Sequence, residues 1–234
     1  MRTSRHLALL AVCCVAALLG CSTVGTSTDY YGVPTAGKHI VFVIDVSGSM
    51  EGKNEGNLTD KLRAQAAEKA GQEAGSAIGG KLGGMLSKGV QRESTKLASV
   101  KRELGPAIRG LDETTKFTIV LFSDSASYWK DDMVKATSDN KAEATVFVER
   151  LESSGGTAAL EGLRAAFDVE EADTVFFLSD GYPSDASSEE ILKQMRTMNA
   201  DGDMTVHSIG VGDNKDEQFM QDLAEENGGR YAEG

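Results

Sequence analysis

Cysteine is missing from the chain beyond residue 21; Cys13, Cys14 and Cys21 are the only three. Neither a disulfide scaffold nor a thiolate zinc site can therefore form in the body of the protein. Histidine is as scarce, with His6, His39 and His207, so any chemistry in the body has to rest on oxygen atoms. There are only three prolines, and 40% of the residues are hydrophobic, which excludes collagen-like and low-complexity disordered chains and favours a packed globular body. Basic residues are in deficit, 24 Lys and Arg against 36 Asp and Glu for a net charge of −12. Capture of nucleic acid through counterion release is set aside on that ground. No Gly-x-x-x-x-Gly-Lys phosphate loop and no Gly-x-Ser-x-Gly nucleophile elbow occur.

What is present begins with an address. Arg2 and Arg5 precede thirteen apolar residues, Leu7 to Leu19, which run into Gly20 and Cys21. This is the charged, apolar and small-residue layout of a secretory signal, and the run is too short to span a bilayer. Leu18-Leu19-Gly20-Cys21 resembles the lipobox of bacterial lipoproteins. The resemblance implies that residues 1–20 are a signal peptide and that Cys21 carries the lipid. Loss of Arg2 and Arg5 would leave 22 basic against 36 acidic residues, a net charge of −14. Such a surface disfavours electrostatic attachment to anionic lipid, so acyl chains would supply the membrane contact. Ser22 after the cysteine resembles the outer-membrane sorting pattern of two-membrane bacteria, and the expected location is the bacterial cell envelope. Residues 21–37, rich in Ser, Thr and Gly, read as a flexible tether.

The body, 38–234, alternates two kinds of pattern. Apolar runs without helical periodicity, Ile40–Ile44, Phe117–Phe122, Val175–Leu178 and Thr205–Val211, read as strands buried on both faces. Leu97, Val100, Leu104, Ile108 and Leu111 recur at helical steps, and further helices are expected over 142–151, 158–167, 189–198 and 216–226. Pro106 is expected to kink the first of these helices. The alternation predicts an α/β fold, a doubly wound and mostly parallel central sheet with helices on both faces. Ligands of such sheets bind at the carboxyl ends of the strands. Residues 51–94 interrupt the alternation and read as a helical or flexible insertion. Ala67, Gly71, Gly75, Gly79 and Gly83 recur every four residues in it, but only Ile78, Leu82, Met85 and Leu86 add apolar bulk.

Three strand-end loops carry the polar groups. Ile44 leads directly into Asp45-Val46-Ser47-Gly48-Ser49; Ser153-Ser154-Gly155-Gly156-Thr157 opens a helix; Asp180-Gly181 follows Ser179. Alternating oxygen donors suit a hard divalent cation, and the Thr157 hydroxyl stands where either a helix cap or a metal ligand would. Together these residues resemble the von Willebrand factor A domain family. Its metal-ion-dependent adhesion site combines an Asp-x-Ser-x-Ser turn with a later Thr and a later Asp. The resemblance covers 39–50 and 95–231. It implies that Ser47 and Ser49 bind the cation through their hydroxyls, Thr157 binds directly or through water, and Asp45 and Asp180 act mainly through bound waters. The implied cation is Mg²⁺ or Mn²⁺, and the implied partner is another protein that offers an acidic side chain to the metal, in adhesion rather than catalysis. Two other readings stay open from the residues: a metal-dependent phosphohydrolase using Asp45 as nucleophile, and a scaffold acting through 51–94. The first lacks the second Asp two residues on, where Ser47 stands.

Overall fold

β-branched and aromatic residues fill the two long strands that carry the sheet, HIVFVID and KFTIVLF, a composition that packs well on both sides of a pleated surface. The computed structural model describes residues 29–53, 65, 66, 69 and 95–234. In chain order it contains β1 (Asp29–Tyr30), β2 (Val33–Pro34), β3 (His39–Asp45), a 3-10 turn (Gly48–Glu51), α1 (Lys96–Gly110), β4 (Lys116–Phe122), β5 (Ala126–Tyr128), β6 (Val134–Lys135), α2 (Ser138–Glu149), α3 (Ala159–Phe167), β7 (Thr174–Ser179), α4 (Ser188–Met198), β8 (Thr205–Gly210), α5 (Glu217–Glu226) and β9 (Tyr231–Glu233). The signal, residues 21–28 of the tether, and insertion residues 54–64, 67, 68 and 70–94 lie outside the described residues. No described helix is long and apolar enough to cross a membrane.

Among the described residues the main sheet runs β5-β4-β3-β7-β8-β9, with β6 also paired to β4. β3 pairs in parallel with both β4 and β7, β7 with β8, and β8 with β9, while β5 and β6 run antiparallel to β4. The fold is therefore the expected α/β arrangement. The chain leaves β3 toward β4 on one side and later returns to its other side through β7, which makes the carboxyl end of β3 a topological switch point.

Strand alternation divides the core in two. Ile40, Phe42 and Ile44 point to the face covered by α1 and α2, where Val100, Leu104, Ile108 and Val148 are buried. Val41 and Val43 point to the opposite face, against Leu163, Ile191 and Leu223 of α3, α4 and α5. Ring contacts fasten both layers: Phe42 stacks on Phe176 with centroids 5.5 Å apart, and Phe122 stacks on Phe177 at 5.4 Å. α1 continues through Pro106, whose ring lies on the exposed side. α2 starts four residues before the expected 142, because the Thr137 hydroxyl accepts a bond from Asn140 N–H and begins the helix ahead of any apolar periodicity.

The tether reading needs a correction for its second half. Asp29–Tyr30 and Val33–Pro34 form an antiparallel hairpin closed by Tyr31 and Gly32, both at positive φ, the backbone of a two-residue hairpin turn. Gly32 N–H also donates to the Asp29 carboxylate at 3.1 Å. Tyr30 is 0% exposed, with its ring edge-on to Phe42 at 5.7 Å and to Phe176 at 6.0 Å. A Ser/Thr/Gly-rich composition suggests a tether, yet Tyr30 and Val33 are both buried on the core and tie this hairpin to it.

Candidate metal centre

Asp45 is the last residue of β3, and the parallel register sets Ile44 opposite Leu178 of β7. The next residue of β7, Ser179, therefore lies beside Asp45, and its hydroxyl donates to Asp45 Oδ2 at 2.6 Å. Asp45 Oδ1 accepts Ser47 N–H at 2.8 Å, which closes the turn. The chain of polar contacts continues from the Ser47 hydroxyl to the Ser49 hydroxyl at 2.9 Å, and from Ser49 Oγ to Asp180 Oδ1 at 2.7 Å. Asp180 Oδ2 accepts from Lys96 Nζ, also at 2.7 Å. Asp45 and Asp180 are both 0% exposed.

Thr157 reaches the same place from α3. A β-carbon built on Gly181 would stand 3.9 Å from Ser49 Oγ and 4.0 Å from Thr157 Oγ1, so the two hydroxyls border one small volume beside Asp180. The sequence left Thr157 as cap or ligand, and it does not act as a cap. α3 begins after Ala158 with no side-chain bond of its own. Its first amides donate instead to the Asp185 carboxylate, Leu160 N–H at 3.3 Å and Glu161 N–H at 3.0 Å. A side chain from the loop after β7 thus serves as cap for α3, an interaction worth about 1 kcal/mol in ordinary helices. The Thr157 hydroxyl is left facing the site.

Backbone bonds sew the three loops together. Val46 N–H donates to the Phe122 carbonyl, Gly48 N–H to that of Gly155 and Ser154 N–H to that of Val46, at 2.9, 3.0 and 2.8 Å. Thr157 N–H donates to Ser184 Oγ at 3.0 Å, and Gly156 N–H to Asp124 Oδ1 at 2.7 Å. The Asp124 carboxylate packs so closely that a β-carbon on Gly155 would lie 2.5 Å from its Oδ2. All five residues named from the sequence, Asp45, Ser47, Ser49, Thr157 and Asp180, come together at the carboxyl ends of β3 and β7. Ser179, Lys96, Asp124, Ser184 and Asp185 support them and escape a motif search, because serines, lysines and aspartates in loops carry no spacing signature.

The electrostatics follow from burial. Two enclosed carboxylates face one enclosed ammonium, so the site holds a surplus of negative charge in a weakly screening interior. Burial pushes the Asp45 carboxyl up to about 6, against the downward pull of its bonds from Ser179 and Ser47. Every donor is a hard oxygen, and among the described residues no group of three or more His, Cys, Asp or Glu is placed to hold a metal ion. Two buried carboxylates and three hydroxyls match the needs of a small divalent cation that keeps some of its waters. His207 is not part of the site: it packs on Phe176 at 4.8 Å, and burial lowers its pKa. His39 sits at the far end of β3, 3.4 Å from Asp173.

Comparison with known proteins agrees with this architecture. Inter-alpha-trypsin inhibitor heavy chain H3 of Homo sapiens is 26% identical over 211 residues, spanning 85% of this chain but 19% of the heavy chain's own length. A solved von Willebrand factor type A structure from Catenulispora acidiphila superposes with a TM-score of 0.61 at 19% identity, covering 86% of this chain and 40% of that one. Proximal thread matrix protein 1 of the mussel byssus, solved with a zinc-occupied MIDAS motif, gives 0.52 at 18% identity, covering 83% of this chain and 41% of that one. At such identities the structural likenesses establish the fold. The sequence pattern of the von Willebrand factor type A domain matches residues 38–64 and 88–232, reaching into both ends of the 51–94 insertion. With that match spanning most of the chain, and the five motif residues gathered at the switch point of its sheet, the protein belongs to the von Willebrand factor type A domain family.

Proposed function

We propose that this protein is a lipid-anchored binding module that captures an acidic side chain of another protein through Mg²⁺ or Mn²⁺. The observation that carries the reading is the convergence of the Ser49 and Thr157 hydroxyls beside the buried Asp180, at the open ends of the strands where α/β folds bind ligands. Ser47 and Ser49 would hold the cation through their hydroxyls and Thr157 directly or through water, with Asp45 and Asp180 acting mainly through bound waters. The bound cation would supply positive charge where the partner's carboxylate docks, so that like charges on the two proteins can meet. Asp45 and Ser179 fix the turn, and the Asp124 and Ser184 contacts fix the Thr157 loop. Nucleophilic attack by Asp45 is disfavoured, since both of its oxygens accept hydrogen bonds and the residue is wholly enclosed.

Titration with Mg²⁺ and Mn²⁺ by calorimetry tests this directly. Binding heat is expected from the wild type and none from Ser47→Ala, which loses the hydroxyl while its N–H still closes the turn on Asp45. Equal heats from both would end the metal reading. Capture of a partner is expected to vanish in chelator and to return with Mg²⁺. The anchoring half of the reading rests on Leu18-Leu19-Gly20-Cys21, with Ser22 favouring the outer membrane where there are two. Cys21→Ser is expected to move the protein from the envelope membrane fraction to the soluble one, and unchanged fractionation would remove the anchor.

A further inference from the structure

Lys96 is a lysine where buried lysines are rare. Its side chain is 11% exposed, and its ammonium lies 2.7 Å from the fully buried Asp180 Oδ2. A burial of this kind is retained only when the charge is paired. The surroundings are shaped for it. Lys96 is the first residue of α1, and its N–H donates to the Gly52 carbonyl at 2.9 Å, three residues after Ser49. A β-carbon on Gly52 would sit 3.7 Å from Lys96 Cε. On the other side, after β8, Gly212 holds φ at +77°, and a β-carbon there would come within 2.6 Å of Lys96 Cε. The stem of Lys96 is thus threaded between two loops and delivers its charge to a third. The Asp180 carboxylate is shared, with Oδ1 on Ser49 and Oδ2 on Lys96.

We propose that the Lys96 ammonium is a resident cation of the metal centre, which holds Asp180 in place while no divalent ion is bound and opposes loading of that ion. This rests on the metal reading above and adds a positioning residue to it. Asp45 and Asp180 together would offer a divalent ion two negative charges; pairing one of them with an internal ammonium leaves a single net charge and sets a fixed positive charge nearby. Lys96 therefore keeps the metal-free site assembled at the expense of affinity, so that occupancy follows the surrounding metal concentration instead of being permanent.

The test is Lys96→Met, which keeps the apolar stem and removes the charge, compared with wild type for Mn²⁺ binding by electron paramagnetic resonance and for thermal stability in chelator. The variant is expected to bind Mn²⁺ about tenfold more tightly, to melt lower than wild type without metal, and to gain more than wild type when Mn²⁺ is added. A lysine with a merely structural role would leave the affinity unchanged or weaken it. Folded Lys96→Met with equal or weaker Mn²⁺ binding, beside a wild type that binds, overturns this proposal and leaves the metal reading standing. Silence from both proteins overturns the metal reading and this proposal with it. If Lys96→Met does not fold, Lys96→Gln, which keeps a donor for Asp180 Oδ2 without the charge, takes its place; tighter Mn²⁺ binding than wild type supports the proposal, and equal or weaker binding overturns it.

Discussion

Asp45→Asn is expected to make the metal-free protein more stable at pH 7.5, by about 3 kcal/mol, while abolishing metal binding. Burial raises the Asp45 carboxyl from 3.8 to about 6 in the folded state, and each unit corresponds to about 1.4 kcal/mol. Between these two values the folded protein holds a proton that the unfolded chain has released. The contribution of Asp45 to stability is therefore fully present below about 3.8 and is lost as the pH rises through about 6. Above that the wild type carries a buried negative charge that asparagine does not. The substitution keeps an acceptor for Ser47 N–H, and the new amide can donate to the Ser179 oxygen, reversing the direction of that bond. Urea unfolding in chelator should show the advantage of Asp45→Asn at pH 7.5 and its disappearance near pH 4. An advantage that does not change with pH would refute burial as its cause. Saturating Mg²⁺ should reverse the ranking, since only the wild type gains by binding. For the same reason metal affinity of the wild type should fall as the pH drops through about 6.

Phe122→Ala is expected to destabilise the protein by about 3–5 kcal/mol and to weaken metal binding without touching any proposed ligand. Phe122 ends β4, is 0% exposed, and stacks on Phe177. α3 lies directly over it: a β-carbon on Gly162 would meet the Phe122 ring at 2.8 Å, so the helix is seated on the aromatic face with no space between. The next residue, Ser123, accepts Ala158 N–H at 2.6 Å, and the Phe122 carbonyl accepts Val46 N–H at 2.9 Å. The ring thus supports both the Asp45 turn and the start of α3 that bears Thr157. An alanine leaves a cavity that well-packed neighbours fill only in part. A lowered urea midpoint together with reduced Mn²⁺ affinity is the expected pair of results. Reduced stability with unchanged affinity would show that the loops hold the site without help from the core beneath them.

The sheet was legible because its strands are continuous apolar runs. HIVFVID and TVFFLS have no helical period, and burial on both faces is what such runs require. The short strands β5, β6 and β9, two or three residues each, were not legible, since pairing to an existing edge, and not their own residues, makes them strands. β1 and β2 were hidden in the same way, with Tyr30 and Val33 as the residues that commit them to the core. In the metal centre the five motif residues were readable because three of them sit in one turn and the other two follow strand or helix patterns.

The alternation of strands and helices, the Asp45–Ser49 turn, and the placement of Thr157 and Asp180 at element ends can be read along the chain, because each depends on neighbours within a few residues, where periodicity and turn chemistry act. The groups that complete the site are brought there by folding. Ser179 meets Asp45 across 134 positions of chain, and Lys96 meets Asp180 across 84. Asp185 caps a helix that begins before it in sequence. Such pairings follow from parallel strand register and from the packing of α1 and α3 over the strand ends. Burial then turns ordinary hydrogen bonds and charges into a single coupled network, because in a water-excluding interior every charge has to find its partner.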